Sequence, residues 1–214
     1  MVLLAVHRTS PFHIAGEYPA DVIVVCGEIA EWGLPRLRGA DLSAVARAAA
    51  RDGSPVQLIT IVPDGPDGDA RLHGLAASGV GHVAVLRTAA RSLEPADVDL
   101  ALGYLPDTHV VIAIGLAGPV LQVALERAAW AAAAAIVVEA ASKATPGNRA
   151  AAPGETANIP GADGAVVLQA PPSDPDGTFA GFVGSFAARI DAGATSADAW
   201  AATTRALAVD AIGR

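Results

Sequence analysis

The chain has 214 residues, of which 52% are hydrophobic, 17% charged and 4% aromatic, and its formal net charge is −8. This length and apolar content predict one folded domain with a core of Ala, Val, Leu and Ile, and they argue against a disordered chain. Binding to nucleic acid or to an anionic membrane surface needs clustered Lys and Arg, so the acidic balance argues against both kinds of partner.

The single cysteine, Cys26, lies in an apolar run, and one cysteine cannot form an intramolecular disulfide. This fits a reducing compartment. We interpret Cys26 as a buried core residue, with a catalytic thiol as the alternative. The segment Met1–Val6 is too short for a signal sequence, and the run Ala128–Ala140 is shorter than the ~20 residues that cross a bilayer. We therefore expect a cytoplasmic protein.

Short, continuous runs rich in β-branched residues predict six buried strands. Such runs are typical of a parallel sheet that is covered on both faces. Val2–Val6 is a candidate for a further strand. The six predicted strands are Val22–Cys26, Val56–Val62, His82–Leu86, Val110–Ile114, Ile136–Val138 and Ala165–Leu168.

Helical patterns lie between these strands and after the last one, and Gly or Pro marks several of their ends. Strands that alternate with helices predict an α/β fold with right-handed βαβ crossovers. Ala131–Ala135 is interpreted as helix, because Ala is the strongest helix former. The predicted helices are Asp41–Asp52, Asp67–Ser78, one that begins near Pro95, Pro119–Ala135, Thr178–Ala192 and Ser196–Ile212.

One segment, Ser142–Asp163, is rich in Pro and Gly and shows little periodicity. We interpret it as a surface loop or the mark of a local deletion rather than as a linker between domains. The prediction is therefore a single α/β domain over residues 1–214.

Five segments carry recognisable patterns in a fixed order. They read VIVVCGEI from Val22, AAARDG from Ala48, VPDGPDG from Val62, LEPADV from Leu93 and DPDGTFAGFVGSF from Asp174. Together they resemble the PfkB family of ribokinase-type sugar and nucleoside kinases. The last four are similar to that family's A-x-A-R-L-G, V-G-D-D-x-F-G, L-T-P-A-D-V and D-T-T-G-A-G-D-A-F-V-G-A-L patterns.

This resemblance implies a ribokinase-like fold, a three-layer and mostly parallel sheet flanked by helices. It also shows where the chain is short. Only a brief stretch separates Ile29 from Gly39, where the family carries the strands of a lid. The stretch between Val138 and Asp174, where the family builds its nucleotide side, is compressed as well. We therefore expect the lid and part of the nucleotide-binding region to be missing.

In the family, the G-A-G-D motif supplies an anion hole from backbone N–H groups at a helix N-terminus, and its Asp is the general base. Matching the F-V-G of the two patterns places Ala180 on that Asp. An Ala methyl cannot accept a proton, so the resemblance implies no catalytic residue at this position. The motif falls on Gly177, Thr178, Phe179 and Ala180.

Two interpretations of this segment stay open. In one, Gly177–Ala180 keeps an anion-binding site built from main-chain N–H groups. In the other, it is an ordinary capped helix start with Asp174 or Asp176 near the cap. These two aspartates are also the only weak candidates for a relocated base.

The substrate side shows comparable losses. The resemblance implies four substrate-binding positions, Gly27, Glu28, Gly39 and Asp41. The family's sugar-binding Asp falls on Trp32, and apolar Leu42 and Ala44 replace common Gly and Asn residues. A site with so few polar groups should not offset the cost of desolvating a polyol.

No spacing of the five histidines is typical of metal ligands, so no resident metal ion is predicted. ATP and Mg²⁺ are expected only if kinase activity is retained. Trp32 and Trp130 are interpreted as core residues, with a role as interface anchors as the alternative.

These losses predict a degenerate PfkB-like protein that lacks ordinary kinase activity and acts as a small-molecule binding or regulatory module. One alternative is a residual ATP-dependent phosphotransferase that uses Asp174 or Asp176 as base and is completed by a partner chain. Another is a structural homo-oligomeric subunit, because a shortened sheet would expose an edge and an apolar face. A homo-oligomer with a small-molecule ligand is the expected assembly.

Overall fold

The structure is a computed structural model, and it describes residues 22–27, 40–88, 91–140 and 164–212. Within these ranges, six strands pair in parallel to form one sheet. They are β1 (Val22–Gly27), β2 (Val56–Val62), β3 (Val80–Arg87), β4 (Thr108–Ile114), β5 (Ala134–Ala140) and β6 (Val166–Ala170). Their spatial order is β3-β2-β1-β4-β5-β6. Strands β2 and β3 are added on one side of β1, and β4, β5 and β6 are added on its other side, so the strand order switches between β1 and β4.

Six helices flank this sheet in the described residues. They are α1 (Leu42–Arg51), α2 (Pro66–Ala77), α3 (Pro95–Gly103), α4 (Gly118–Trp130), α5 (Thr178–Asp191) and α6 (Ser196–Ile212). Helices α1 and α5 share one hydrophobic cluster with the sheet, and α3 and α4 share a second cluster on the opposite face. The predicted three-layer α/β architecture is therefore confirmed.

The strand β1 shows why these runs are apolar throughout. All six of its residues are buried. Ile23 and Val25 belong to the cluster with α1 and α5, whereas Val24 and Cys26 belong to the cluster with α3 and α4. Because successive side chains of a strand point to opposite faces, a strand covered on both sides must be apolar at every position.

Helices α1 and α5 pack very closely, and Gly184 makes this possible. A Cβ built on Gly184 would lie 2.5 Å from the Val45 carbonyl oxygen and 2.6 Å from the Ala48 Cβ. Only a glycine lets the two backbones approach to this distance. The contact fixes the position of α5 over the sheet.

Helix α6 is attached to α5 by aromatic side chains. The ring centroids of Phe182 and Trp200 are 4.8 Å apart with an interplanar angle of 77°, an edge-to-face arrangement. Trp200 makes a similar contact with Phe186. Such pairs add about 0.5–1.5 kcal/mol beyond the burial of their surface. The two helices are thereby held side by side.

The six predicted strands and six predicted helices are all present, with ends displaced by a few residues. The largest error is the helix predicted over Pro119–Ala135, because α4 ends at Trp130 and the Ala131–Ala135 tract is not helical. Ala132 has a φ of 55°, and Ala134 and Ala135 pair with β4 as part of β5. Hydrogen-bonded pairing of β5 with β4 and β6 outweighs the intrinsic helix propensity of Ala.

Several predictions lie outside the described residues: the strand Val2–Val6, the shortened lid between Ile29 and Gly39, the loop Ser142–Asp163, and Trp32. Trp130 is described, and its interpretation as a core residue is wrong because its side chain is 77% exposed. Among the helices that the structure describes, none is both long and apolar enough to cross a membrane.

Candidate functional site

Helix α5 begins at a sharp turn that depends on a glycine. Gly177, the residue before the helix, has a φ of 67° and a ψ of 18°. This left-handed conformation is costly for residues with a side chain and easy for Gly. The Gly177 N–H donates to the Asp174 carbonyl oxygen at 3.2 Å, which closes the turn. The turn brings the Asp174 side chain back under the start of the helix.

The Asp174 carboxylate binds the helix N-terminus with both oxygens. The Phe179 N–H donates to Oδ1 at 3.1 Å, and the Ala180 N–H donates to Oδ2 at 2.9 Å. A carboxylate here satisfies donors that have no partner inside the helix, and it interacts favourably with the positive end of the helix dipole. Asp174 therefore caps α5.

This cap uses most of the donors predicted to bind an anion. Of the four N–H groups from Gly177 to Ala180, those of Gly177, Phe179 and Ala180 donate to Asp174 in the described structure. The Thr178 N–H has no such bond. An incoming phosphate would have to displace a charged group that the chain already provides.

Ala180, the position matched to the general base, faces the core. Its side chain is 1% exposed and belongs to the cluster between α1, α5 and the sheet. Asp176, four residues before the first buried position of the helix, is exposed instead. The side chain at position 180 is thus directed away from solvent.

A groove of about 700 Å³ runs along the outer side of α5, between the end of α1 and α6. Its floor is a stripe of α5 residues spaced three or four apart, Thr178, Gly181, Ser185 and Arg189, with Phe182 beside them. This spacing places side chains on one face of a helix. The remaining lining residues are Arg51, Asp52, Asp176, Gly177, Thr203, Ala206 and Leu207.

The charges of this groove are concentrated at its ends. Arg51 and Arg189 lie at one end, and Asp176 lies at the other, next to the start of α5. Arg51 Nε is 3.6 Å from Asp52 Oδ1, in an ion pair that is largely exposed. The Nε atom of Arg189 is buried and has no hydrogen-bond partner among the described residues.

Two of the predicted substrate-binding residues are described, and both have a structural role. A Cβ on Gly27 would lie 2.7 Å from the Ile114 carbonyl oxygen, so Gly27 is needed for the close packing of β1 against β4. Asp41 caps α1, because its Oδ1 accepts the N–H groups of Ser43 and Ala44 at 2.7 and 3.3 Å. Glu28 and Gly39 lie outside the described residues, and substrate binding by all four stays a prediction.

The segment that begins at Val62 forms an ion-paired cluster at the carboxyl ends of β2 and β3. Arg87 donates through Nη1 to Asp69, and its Nε lies 3.4 Å from Asp64 Oδ1. The hydrogen bond that Arg87 donates to Asp69 raises the pKa of Arg87 above its ordinary value, with Asp64 adding to the effect. These two carboxylates are therefore engaged by a cation of the same chain.

Cys26 is fully buried in β1, as predicted for a core residue. Burial raises the pKa of its thiol to about 12, so the thiol stays protonated at neutral pH. This argues against the alternative of a catalytic thiol. Within the part of the chain that the structure describes, no group of three or more His, Cys, Asp or Glu side chains is placed to hold a metal ion.

The sequence reasoning did not identify the groove. Arg51 ends α1 and Arg189 lies in α5, far apart in the sequence, and no motif connects the two residues. The available signal was the run of small or polar residues at helical spacing, Thr178, Gly181 and Ser185, in an otherwise apolar helix. That stripe predicts a helix face that does not pack against the core.

The match to known folds comes from solved structures. The crystal structure of Sa239 matches with a TM-score of 0.57 and 14% identity, over 85% of this chain and 90% of that chain. A protein assigned as Ribokinase II from E. coli, in its apo form, matches with a TM-score of 0.55 and 14% identity, over 84% and 89%. The PfkB protein from Polaromonas sp. JS666 matches with a TM-score of 0.53 and 15% identity, over 86% and 93%. The chain has a ribokinase-like fold.

This ribokinase-like fold is what the five sequence segments implied, and the structural matches extend over most of the chain. No protein-family model and no curated protein sequence matches the sequence of this chain. Identities of 14–15% establish the fold alone. A fold does not by itself establish an activity, which depends on the residues of the site.

Proposed function

We propose that this ribokinase-like chain lacks ordinary sugar or nucleoside kinase activity and acts as a small-molecule binding or regulatory module. The observation that carries the proposal is the side chain at the matched base position. Ala180 is a buried methyl group in the core of the domain. A kinase of this kind must remove a proton from the attacking hydroxyl, and a methyl group cannot do so.

The N-terminus of α5 supports the same proposal, because the backbone donors that a phosphate would need are already used. Phosphoryl transfer depends on preorganised donors aimed at the phosphate oxygens. Phe179 and Ala180 direct their N–H groups to the Asp174 carboxylate instead. A negative charge already fills the position where a nucleotide phosphate would need these donors, so phosphate binding there is disfavoured electrostatically.

The residual phosphotransferase alternative requires Asp174 or Asp176 to act as base. Both Asp174 oxygens accept helix N–H groups, and protonating this carboxylate would weaken its cap. Asp176 is exposed and lies at the edge of the groove. Of the two, Asp176 is therefore the carboxylate to test first in that alternative.

The test is a coupled assay of ATP turnover with Mg²⁺ and a broad panel of sugars and nucleosides. We expect no turnover above the background of a mock purification, with a sugar kinase as the positive control for the assay. Robust phosphorylation of any panel member would contradict the proposal. In that case, Asp174→Asn and Asp176→Asn variants would show whether either carboxylate serves as the base.

We also propose a homo-oligomeric assembly in a reducing compartment such as the cytoplasm. The support is the single cysteine and the exposed aromatic side chains of Tyr104 and Trp130, which are 72% and 77% exposed. Exposed aromatic residues are enriched at protein interfaces. Sedimentation velocity would test the assembly, and a monomer at all concentrations would contradict it.

A further inference from the structure

The groove beside α5 has a cationic end that the kinase resemblance does not explain. Arg189 lies in the last turn of α5 and lines this end together with Arg51. The Arg189 Nε atom is buried and has no hydrogen-bond partner among residues 22–27, 40–88, 91–140 and 164–212. Buried donors of this kind are rare in folded proteins, and each calls for an explanation such as a bound ion or ligand.

No ion pair joins Arg189 to a nearby carboxylate among the described residues. Asp52 pairs with Arg51 instead, at 3.6 Å. Asp191, two residues after Arg189, has its Oδ1 atom 3.7 Å from His109 Nδ1, and this buried oxygen has no hydrogen-bond partner among the described residues. The Arg189 guanidinium therefore has no ion-pair partner in the described part of the chain. A guanidinium in such a position is suited to a carboxylate or a phosphate, which it can bind through two N–H groups.

The rest of the groove suits a small organic molecule. Its volume of about 700 Å³ falls within the range of small-molecule sites. Phe182 and Leu207 contribute apolar surface, and Ser185 contributes a hydroxyl group. Gly181 leaves the floor open, because a Cβ on this residue would meet no atom within 4 Å.

We propose that this groove binds a small anionic molecule whose phosphate or carboxylate group lies on Arg189 and whose body extends along Gly181 and Phe182. Thr178 and Arg189 are about 16 Å apart along the helix, at ~1.5 Å per residue. The proposed anion position on Arg189 is therefore distant from the Gly177–Ala180 turn, although Gly177 and Thr178 line the other end of the same groove. The inference gives the proposed binding role a ligand class and so rests on that role, but it is independent of whether kinase activity is lost.

The first experiment measures the thermal midpoint of the full chain with four probes at constant ionic strength. The probes are inorganic phosphate, citrate, a hexose 6-phosphate and the same hexose without phosphate, with NaCl as the ionic-strength control. We expect at least one anion to raise the Tm by about 5 °C at ~100 times its Kd, and the neutral hexose to have no effect. The phosphate and carboxylate probes separate the two possible anionic groups.

The second experiment compares two variants that remove one positive charge. Arg189→Gln removes the proposed anion ligand, whereas Arg205→Gln removes an exposed Arg of α6 that does not line the groove. We expect Arg189→Gln to weaken binding of the active probe by tenfold or more and Arg205→Gln to leave it within twofold. Equal affinity in the two variants would overturn the assignment of Arg189.

A third variant tests the groove without changing a charge. Gly181→Leu should fill the floor and abolish the probe-dependent Tm shift, while Gly103→Leu, also at a position with nothing within 4 Å of a built Cβ, should retain it. A retained shift in Gly181→Leu would overturn the proposal. If no probe shifts the wild-type Tm, the anion site proposed in this groove fails, whereas the ATP-turnover assay separately tests the proposed loss of kinase activity.

Discussion

The two sides of helix α5 differ in a way that explains both the packing and the open surface of this protein. On the inner side, Gly184 is required because α1 is so close that a Cβ would lie 2.5 Å from the Val45 carbonyl oxygen. On the outer side, Gly181 borders the groove, and a Cβ there would meet nothing within 4 Å. Two glycines three positions apart in one helix therefore differ in what they do: Gly184 permits close packing of α1, whereas Gly181 leaves space in the groove. Glycine in a family-like motif does not by itself indicate a ligand.

The largest effect should come from placing a carboxylate on the inner side of α5. Ala180→Asp, which restores the residue type of the family motif, should destabilise the fold by about 3–5 kcal/mol because it buries an unpaired charge. It should not produce kinase activity. Gly181→Asp, on the outer side, should cost less than about 1 kcal/mol, because its carboxylate stays in solvent near a helix start. Urea unfolding of both variants checks this contrast, and equal losses would contradict it.

A smaller effect should follow from adding a single methyl group on either side. Gly184→Ala should lower the free energy of unfolding by about 2 kcal/mol, because α1 and α5 must move apart to accommodate the Cβ. Gly181→Ala should instead gain about 0.5–1 kcal/mol, since Ala has the higher helix propensity. The measurement is the free energy of unfolding from urea titrations. If both variants shift in the same direction, the two sides of the helix do not differ as described.

The cap of α5 gives the next effect. Asp174→Ala should cost about 1 kcal/mol, because the Phe179 and Ala180 N–H groups lose their carboxylate acceptor. Asp176→Ala removes an exposed carboxylate two residues away for which no such bond is described, and it should change stability by less than about 0.5 kcal/mol. Thermal unfolding of the two variants, compared with wild type, measures the difference. Equal effects would mean that Asp174 does not act as the cap.

The smallest effect concerns α3, which begins with a comparable carboxylate. Asp97 accepts the Glu94 N–H at 2.9 Å and is also bound by Arg91. The hydrogen bond from Arg91 holds the pKa of Asp97 below its ordinary value, with the Glu94 N–H adding to this and burial opposing it. A folded-state pKa below the unfolded value means that the stabilisation is present above about pH 4 and is lost as the pH falls through the folded pKa.

We therefore expect Asp97→Asn to cost about 0.5–1 kcal/mol at pH 7 and less as the pH falls through the folded-state pKa of Asp97. Urea unfolding of wild type and variant at a series of pH values below 7 measures this change. A loss that is independent of pH would show that charge at position 97 is not the cause. The groove side of α5 should be insensitive to this substitution, since α3 lies on the other face of the sheet.

Much of the fold could be predicted from the sequence, because its signals are local. The apolar run of β1 is buried on both faces, and Gly53 and Gly193, with positive φ, follow helices that end close to their predicted ends. The Ala131–Ala135 tract could not be assigned correctly, since its conformation is set by pairing with β4 rather than by its own propensity.

The candidate site was less accessible to sequence reasoning. The prediction that position 180 carries no base came from the family-like motif, and the competing interpretation of an ordinary helix start predicted a cap by Asp174 or Asp176. The direction of the Ala180 side chain and the use of both Asp174 oxygens depend on the turn at Gly177, which has no unique sequence signature. The groove depends on the approach of α1 and α6 to α5, and contacts between such distant segments leave no local pattern.

The close crossing at Gly184 also bears on how the protein is made. Helix α1 is synthesised before its partner α5, and more than half of the 214 residues lie between the two helices. Until α5 leaves the ribosome, the apolar side of α1 at Val45 and Ala49 has no cover, and closing so long a segment is slow. Nascent chains that stop before α5 should therefore bind chaperones or aggregate, whereas those that extend beyond it should become resistant to protease.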